Sequence, residues 1–252
     1  MASEQKTAAP AIDGSVAIME VLGRAPYPLQ LSEICEQTGL ASASAHRIIG
    51  AMLQHNLVAM APGRRKTYII GSRVFQLSSS ILGRQPIVPY FNPIAEILKN
   101  EIHRTILLSL PVGNQVVIVA KHDAPASKPF NAYVGRTMPM HQSASGKAIL
   151  AAQQPFPRMS YFANEGLIAE GDPLPPRMAD DLERSARLGY AVTVNEIQQD
   201  VGCVAAPVLN LKGEPVAAIS ACFTGEMLTD QSARVYSKNI VQAARQLSSH
   251  II

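Results

Sequence analysis

With 252 residues, 47% of them apolar and 16% charged, the chain is too hydrophobic for wholesale disorder and long enough for one large domain or two modest ones. Its three cysteines, Cys35, Cys203 and Cys222, are odd in number and too far apart for a CxxC motif, which argues against a disulfide-built secreted scaffold. No basic-then-apolar leader opens the chain and no apolar run nears the ~20 residues of a membrane span, so a cytoplasmic protein with no membrane partner is expected.

Twenty-two basic and 19 acidic residues leave a net charge of +3, but its distribution is uneven. Residues 37–95 hold Arg47, Arg64, Arg65, Lys66, Arg73 and Arg84 and no Asp or Glu, a net +6, while the other 193 residues carry −3. Such asymmetry suggests one segment facing a polyanion and another with a different task.

Val16, Met19 and Leu22 recur at helical spacing and predict a helix over 13–22, ended by the Pro-rich stretch 24–28. A two-turn helix fits 31–38, with Leu31, Ile34 and Cys35 inward and Gly39 as a left-handed cap. A third helix starts at Ser42, whose hydroxyl is expected to cap it, and turns Ala45, Ile48, Ile49, Met52 and Leu53 to the core. Its other face carries Ala43, Arg47, Gly50 and Gln54, flanked by Ser42, Ser44 and His46. Two short helices around a Gly-containing turn, the second slim and polar at its start with one long donor, form a helix-turn-helix pattern. Residues 56–59 and 68–70 read as strands around a tip bearing Arg64, Arg65 and Lys66, a wing whose cations suit a phosphate backbone. Ser42, Ala43, Ser44, His46, Arg47 and the three wing cations are therefore the candidate contacts to double-stranded DNA.

The segments Leu29-Gln30-Leu31-Ser32-Glu33-Ile34, Thr38-Gly39-Leu40, Ser44-Ala45-His46-Arg47 and Tyr68-Ile69-Ile70-Gly71 resemble the DNA-binding half of the IclR family of bacterial transcriptional regulators. Members often have Pro-Lys-Ser-Thr where this chain has Ala41-Ser42-Ala43-Ser44, so a Lys contact of that family is missing here.

An amphipathic stretch with Val74, Leu77 and Ile81 predicts a linker helix over 72–85, between a DNA-binding domain at 1–71 and a second domain at 86–252. A helix fits 93–102; beyond it strands fit 105–110, 115–121, 131–134, 190–194, 204–209 and 216–222, with turns at 111–114 and 210–213. Helices fit 144–152, 177–188 and 228–249. Hairpins with helices between them predict an α+β domain with a largely antiparallel sheet.

Residues 139–148 (PMHQSASGKA), Gly189-Tyr190-Ala191-Val192, 202–208 (GCVAAPV) and Ala217-Ala218-Ile219-Ser220 resemble signatures of the same family's GAF-like effector domain, extending the resemblance over residues 11–250. The resemblance implies a homodimer or homotetramer on operator DNA that senses a small molecule, an organic acid or aromatic compound. It places Ala144, Ser145, Thr193, Cys203, Ser220 and Cys222 at the pocket, with Met138, Met140 and Val192 as an apolar wall. Hydroxyls and amides at a helix N-terminus suit a carboxylate. Some relatives carry Asp where this chain has Thr193, so a repulsive charge for an acidic ligand is absent.

Enzymatic patterns fit poorly. Ser145-Gly146-Lys147 lacks the upstream Gly and following Ser or Thr of a phosphate loop, having His141 and Ala148 there. An S-x-x-K pair would need Ser at Ala144. Six histidines show no metal-site spacing, and no cofactor is expected. A Cys203 nucleophile with His141 as base is the best surviving catalytic arrangement. The reading is a ligand-responsive, non-enzymatic regulator; the rivals are a metabolite-converting enzyme with a DNA-binding appendage and a DNA-binding protein whose second domain only oligomerises.

Overall fold

The computed structural model describes residues 9–62, 66–82, 87–125, 130–225 and 227–251, which divide into two compact units, residues 1–85 and 86–252.

In the first unit, α1 (Pro10–Arg24) opens with Pro10, whose missing N–H costs nothing in a first turn. The short strand β1 (Leu29–Gln30), absent from the sequence reading, leads directly into α2 (Leu31–Thr38). A reciprocal box starts α2: the Gln30 N–H donates to Glu33 Oε2 at 2.7 Å while the Gln30 side chain takes an N–H of the first turn. Gly39 ends it at φ +70, its N–H donating to the Cys35 carbonyl at 2.9 Å. Helix α3 (Ser42–Gln54) is capped differently from the expectation: Ala41 is the cap residue, no side chain bonds there, and Ser42 is already helical. Cys35 is half-buried rather than buried.

Strands β2 (Val58–Met60) and β3 (Thr67–Ile70) form the wing hairpin. β3 also pairs with β1, making an antiparallel sheet in the order β1-β3-β2. Ile18, Leu22, Leu29, Ile34, Ile49, Met52 and Val58 join all these elements in one buried cluster. Helix α4 (Ser72–Leu82) follows, with Phe75 75% exposed.

The second unit begins with α5 (Ile87–Ile102), longer than the predicted 93–102 because it runs through Pro93. Burial of Ile87, Phe91, Ile94, Ala95, Leu98 and Ile102 outweighs the backbone bond that an interior proline forfeits. Strands β4 (Thr105–Val112) and β5 (Gln115–His122) form a hairpin. The predicted strand at 131–134 is instead irregular: the chain folds back at Gly135, φ +94, exchanges backbone bonds with Ile118 through the Gly135 N–H and the Arg136 carbonyl, and pairs with β5 as β6 (Thr137–Pro139). A 3₁₀ turn at Met140–Gln142 precedes α6 (Ala144–Ala152). Next come α7 (Pro155–Asn164), missed by the sequence reading, and α8 (Pro176–Leu188). Strands β7 (Ala191–Val194), β8 (Val201–Leu209) and β9 (Pro215–Thr224) precede α9 (Asp230–Ser248). The sheet is antiparallel throughout, in the order β6-β5-β4-β9-β8-β7.

Strand alternation gives this sheet two faces. Ile106, Leu108, Val204, Ala206, Val208, Ala217, Ile219, Ala221 and Phe223 pack with residues of α5 and α9. Their neighbours Leu107, Cys203, Ser220 and Cys222 face the other way. On β5 a register shift opposite Leu108/Ser109 inserts Val119, so Ala120 joins the first face while Ile118 joins the second.

Candidate functional site

Burial of Ala45, Ile49 and Met52 fixes which side of α3 faces solvent. On that side Ser42, Ala43, His46 and Arg47 are exposed, and Ser44 is half-buried at its edge. Arg47 makes no ion pair among the described residues, so its guanidinium is free to reach outward. A Cβ built at Gly50 meets nothing within 4 Å, so this face stays slim one turn on. Thirteen residues make a rod about 20 Å long, and its small-residue start fits a major groove about 12 Å wide. Lys66 is exposed beside β3, whereas Arg64 and Arg65 lie outside the described residues.

In the second unit, the sheet face turned away from α5 and α9 lines a cavity of about 50 Å³. Met138, Ala144, Ser145, Thr193, Cys203, Ser220 and Cys222 all line it, as do Leu107, Ile118 and Ala132. Met140 does not: the strand stops at Pro139, and the following 3₁₀ turn carries Met140 into a separate cluster with Ile149, Leu150, Phe162 and Leu182. Val192, one residue from Thr193, points by alternation to the opposite face and packs on the α5/α9 core.

Two backbone features hold the helix end of the cavity. The Ser143 side chain caps α6 by accepting from the Gly146 N–H at 3.1 Å. Position 146 requires glycine, because a Cβ there would run into the Met140 backbone. The amides of Ala144 and Ser145 have no intrahelical acceptor and sit at the cavity wall. Across the opening, the Asn131 N–H donates to Gln198 Oε1 at 3.1 Å, tying two loops together.

Polar groups in this wall lack protein partners. Ser145, Thr193 and Ser220 are 5%, 6% and 2% exposed, yet none of their hydroxyls is hydrogen-bonded among the described residues. The hydroxyl oxygens are not among the buried side-chain atoms left without a partner, so they open on the cavity and can bond to what enters it. Arg136, also in the wall, forms no ion pair among the described residues. The nearby cations differ: Lys147 reaches both carboxylate oxygens of Glu196 at 2.7 Å, and Lys121 pairs with Asp123 at 2.8 Å. Sequence reasoning passed over Arg136, although its place two residues before Met138 puts both on one face if the strand period extends back by one residue.

Cys203 Sγ lies 3.1 Å from Cys222 Sγ. That thiol contact and burial push the Cys222 thiol up, against the opposing charges of Lys121 and Arg136. The Cys203–His141 arrangement is not assembled. His141 lines a different cavity, with Nδ1 2.7 Å from Tyr161 Oη, and burial lowers its pKa. Among the described residues no group of three or more His, Cys, Asp or Glu could hold a metal ion, and no helix is long and apolar enough to cross a membrane.

A winged helix-turn-helix followed by an α+β domain with a mainly apolar cavity on one sheet face is the arrangement of a ligand-responsive, DNA-binding transcription regulator. The family description "Bacterial transcriptional regulator IclR C-terminal" matches residues 79–249, and "IclR helix-turn-helix domain" matches residues 11–61. The chain belongs to the IclR family. It is 24% identical over 236 residues to the transcriptional repressor IclR of Escherichia coli, spanning 92% of this chain and 86% of that one. The Thermotoga maritima IclR crystal structure superposes with a TM-score of 0.71 at 22% identity, over 95% of this chain and 98% of that one. An IclR homologue of Microbacterium hydrocarbonoxydans, complexed with 4-hydroxybenzoate, gives 0.71 at 19% identity over 96% and 98%. The named relatives are transcriptional regulators, and no enzymatic family is indicated.

Proposed function

We propose that this regulator binds operator DNA as a homodimer or homotetramer and that its effector is a small carboxylate with a short apolar body. The observation that carries the effector reading is the Arg136 guanidinium, without an ion pair among the described residues, in the same wall as three hydroxyls that make no hydrogen bond among those residues. A guanidinium is built for two-pronged contact with a carboxylate. Leu107, Ile118, Ala132 and Met138 supply the apolar side, and a cavity of about 50 Å³ favours a compact ligand. The homologue complexed with 4-hydroxybenzoate, an aromatic carboxylate, supports the same ligand class.

On the DNA side, Ser42, Ala43, Ser44, His46 and Arg47 meet the groove, while Arg64, Arg65 and Lys66 lie along phosphate. Each subunit supplies few cations, so paired subunits at a fixed half-site spacing are needed for useful affinity. The exposed apolar side chains Ile12, Val16 and Phe75 of the first unit support contact with a second copy. Tenfold regulation needs about 1.4 kcal/mol of difference in effector affinity between DNA-competent and incompetent arrangements.

Calorimetric titration of the reduced, full-length protein with benzoate, 4-hydroxybenzoate and pyruvate, beside benzamide, tests the effector reading. Carboxylates should bind and benzamide should not, and Arg136→Gln should weaken the carboxylates at least tenfold. Equal binding of acid and amide, or an unaffected variant, would overturn the role of Arg136.

A further inference from the structure

We infer that Cys203 and Cys222 form an oxidisable dithiol in the wall of this cavity, which a hydroperoxide converts to a disulfide across β8 and β9. The two residues are direct partners in the β8/β9 register. Directly opposed Cα atoms of an antiparallel pair lie about 4.5–5.5 Å apart, within the ~4.4–6.8 Å that a disulfide spans. The sulfurs are already 3.1 Å apart, so bonding requires an approach of about 1 Å to reach ~2.05 Å. Both are free cysteines, Cys203 half-buried and Cys222 3% exposed.

Access is sufficient for a small oxidant. The cavity offers about 50 Å³ where a single water needs roughly 10–15 Å³, so a hydroperoxide group can reach the sulfurs. The roles of the two thiols differ. Burial and the Cys203 contact hold Cys222 protonated, leaving the more accessible Cys203 as the attacking sulfur. Cys203 Sγ attacks one peroxide oxygen, the O–O bond breaks, and the Cys203 thiol proton passes to the released oxygen, which leaves as water (an alcohol from an organic hydroperoxide), giving Cys203 sulfenic acid. Cys222 Sγ then attacks that sulfur, the S–O bond breaks, and the hydroxide leaves with the Cys222 proton as a second water. The dithiol loses two electrons to the peroxide and no further reactant is needed.

The disulfide ties together two strands whose side chains form the cavity wall and removes two thiols from it. Bonding should therefore weaken carboxylate binding, a consequence that rests on the effector reading above; formation of the bond does not.

The test uses full-length protein treated with hydrogen peroxide, then digested without reductant and mapped by mass. A Cys203–Cys222 cross-link reversed by dithiothreitol, with Cys35 still open to alkylation, is expected. Phenylarsine oxide, which bridges paired thiols, should bind one-to-one to wild type and Cys35→Ser but not to Cys203→Ser or Cys222→Ser. Benzoate affinity should fall at least tenfold on oxidation of wild type and return when dithiothreitol reduces the cross-link. Progress of Cys203 to sulfinic acid without a cross-link, or a disulfide that recruits Cys35, would overturn the dithiol. If the cross-link forms and no carboxylate binds even the reduced protein, the dithiol stands and the effector reading fails.

Discussion

On α3 the polar residues stand in water, with Ser42, His46 and Arg47 all exposed, whereas in the second unit Ser145, Thr193 and Ser220 are at most 6% exposed. The same residue types serve opposite purposes in the two regions. A DNA contact must be reachable along a rod, so the fold needs only to anchor one helix face and leave the other slim. A small-molecule site must remove its ligand from water, so polar groups from α6, β7, β9 and the turn before β6 converge on one space without hydrogen-bond or ion-pair partners among the described residues. The first unit thus carries its specificity in local sequence, the second in long-range convergence.

The largest effect that would test this contrast is on stability. Phe91→Ala, which empties a fully buried ring site between α5 and the sheet, should cost about 3–5 kcal/mol. If the two units are independent, chemical denaturation should show an early transition for the second unit while the first is unchanged; one merged transition would break the comparison. Next, Arg47→Ala should cost about 1–3 kcal/mol of specific operator binding and leave the cavity's ligand affinity untouched. Neutralising Arg64, Arg65 and Lys66 should instead weaken binding to every sequence and flatten the slope of log affinity against log salt by about 3 for each DNA-bound subunit, at ~0.9 per phosphate contact. Ser145→Leu, filling the cavity beside α6, should abolish ligand binding with operator affinity retained, measured by calorimetry and gel shift on one preparation. The smallest effects sharpen the comparison within the scaffolds. Gly39→Ala, at φ +70, should cost the first unit about 1–2 kcal/mol, and Thr229→Ala should cost the second about 1 kcal/mol by removing the cap that accepts from the Ser232 N–H at 3.2 Å.

The comparison also accounts for what could be read in advance. The bounds of α2 and α6 and the inward face of α3 follow from apolar spacing and end signals, because helices are encoded within a few residues. The cap at Ser42 was misassigned because a hydroxyl near a helix start only permits the bond; the backbone placed Ala41 there instead. The two-residue β1 carries no periodic signal at all and exists through its partner β3. Residues 131–134 looked like a strand because Tyr133 and Val134 favour one, yet both are exposed and the chain turns at Gly135.

By itself, the sequence determined a basic helix-turn-helix followed by an α+β domain, and through family resemblance it nominated residues for a pocket. Those features are local or patterned: charge along a segment, apolar spacing, motifs in order. Only the tertiary structure decided that seven of the nominated residues share one cavity while Met140 and Val192 do not, that Arg136 beside them has no ion pair among the described residues while Lys147 is neutralised by Glu196, and that two cysteines 19 residues apart meet at 3.1 Å. The reason is geometric. Which face a residue joins depends on where a strand ends or a bulge intervenes, and whether a charge is free depends on partners brought from distant strands and helices.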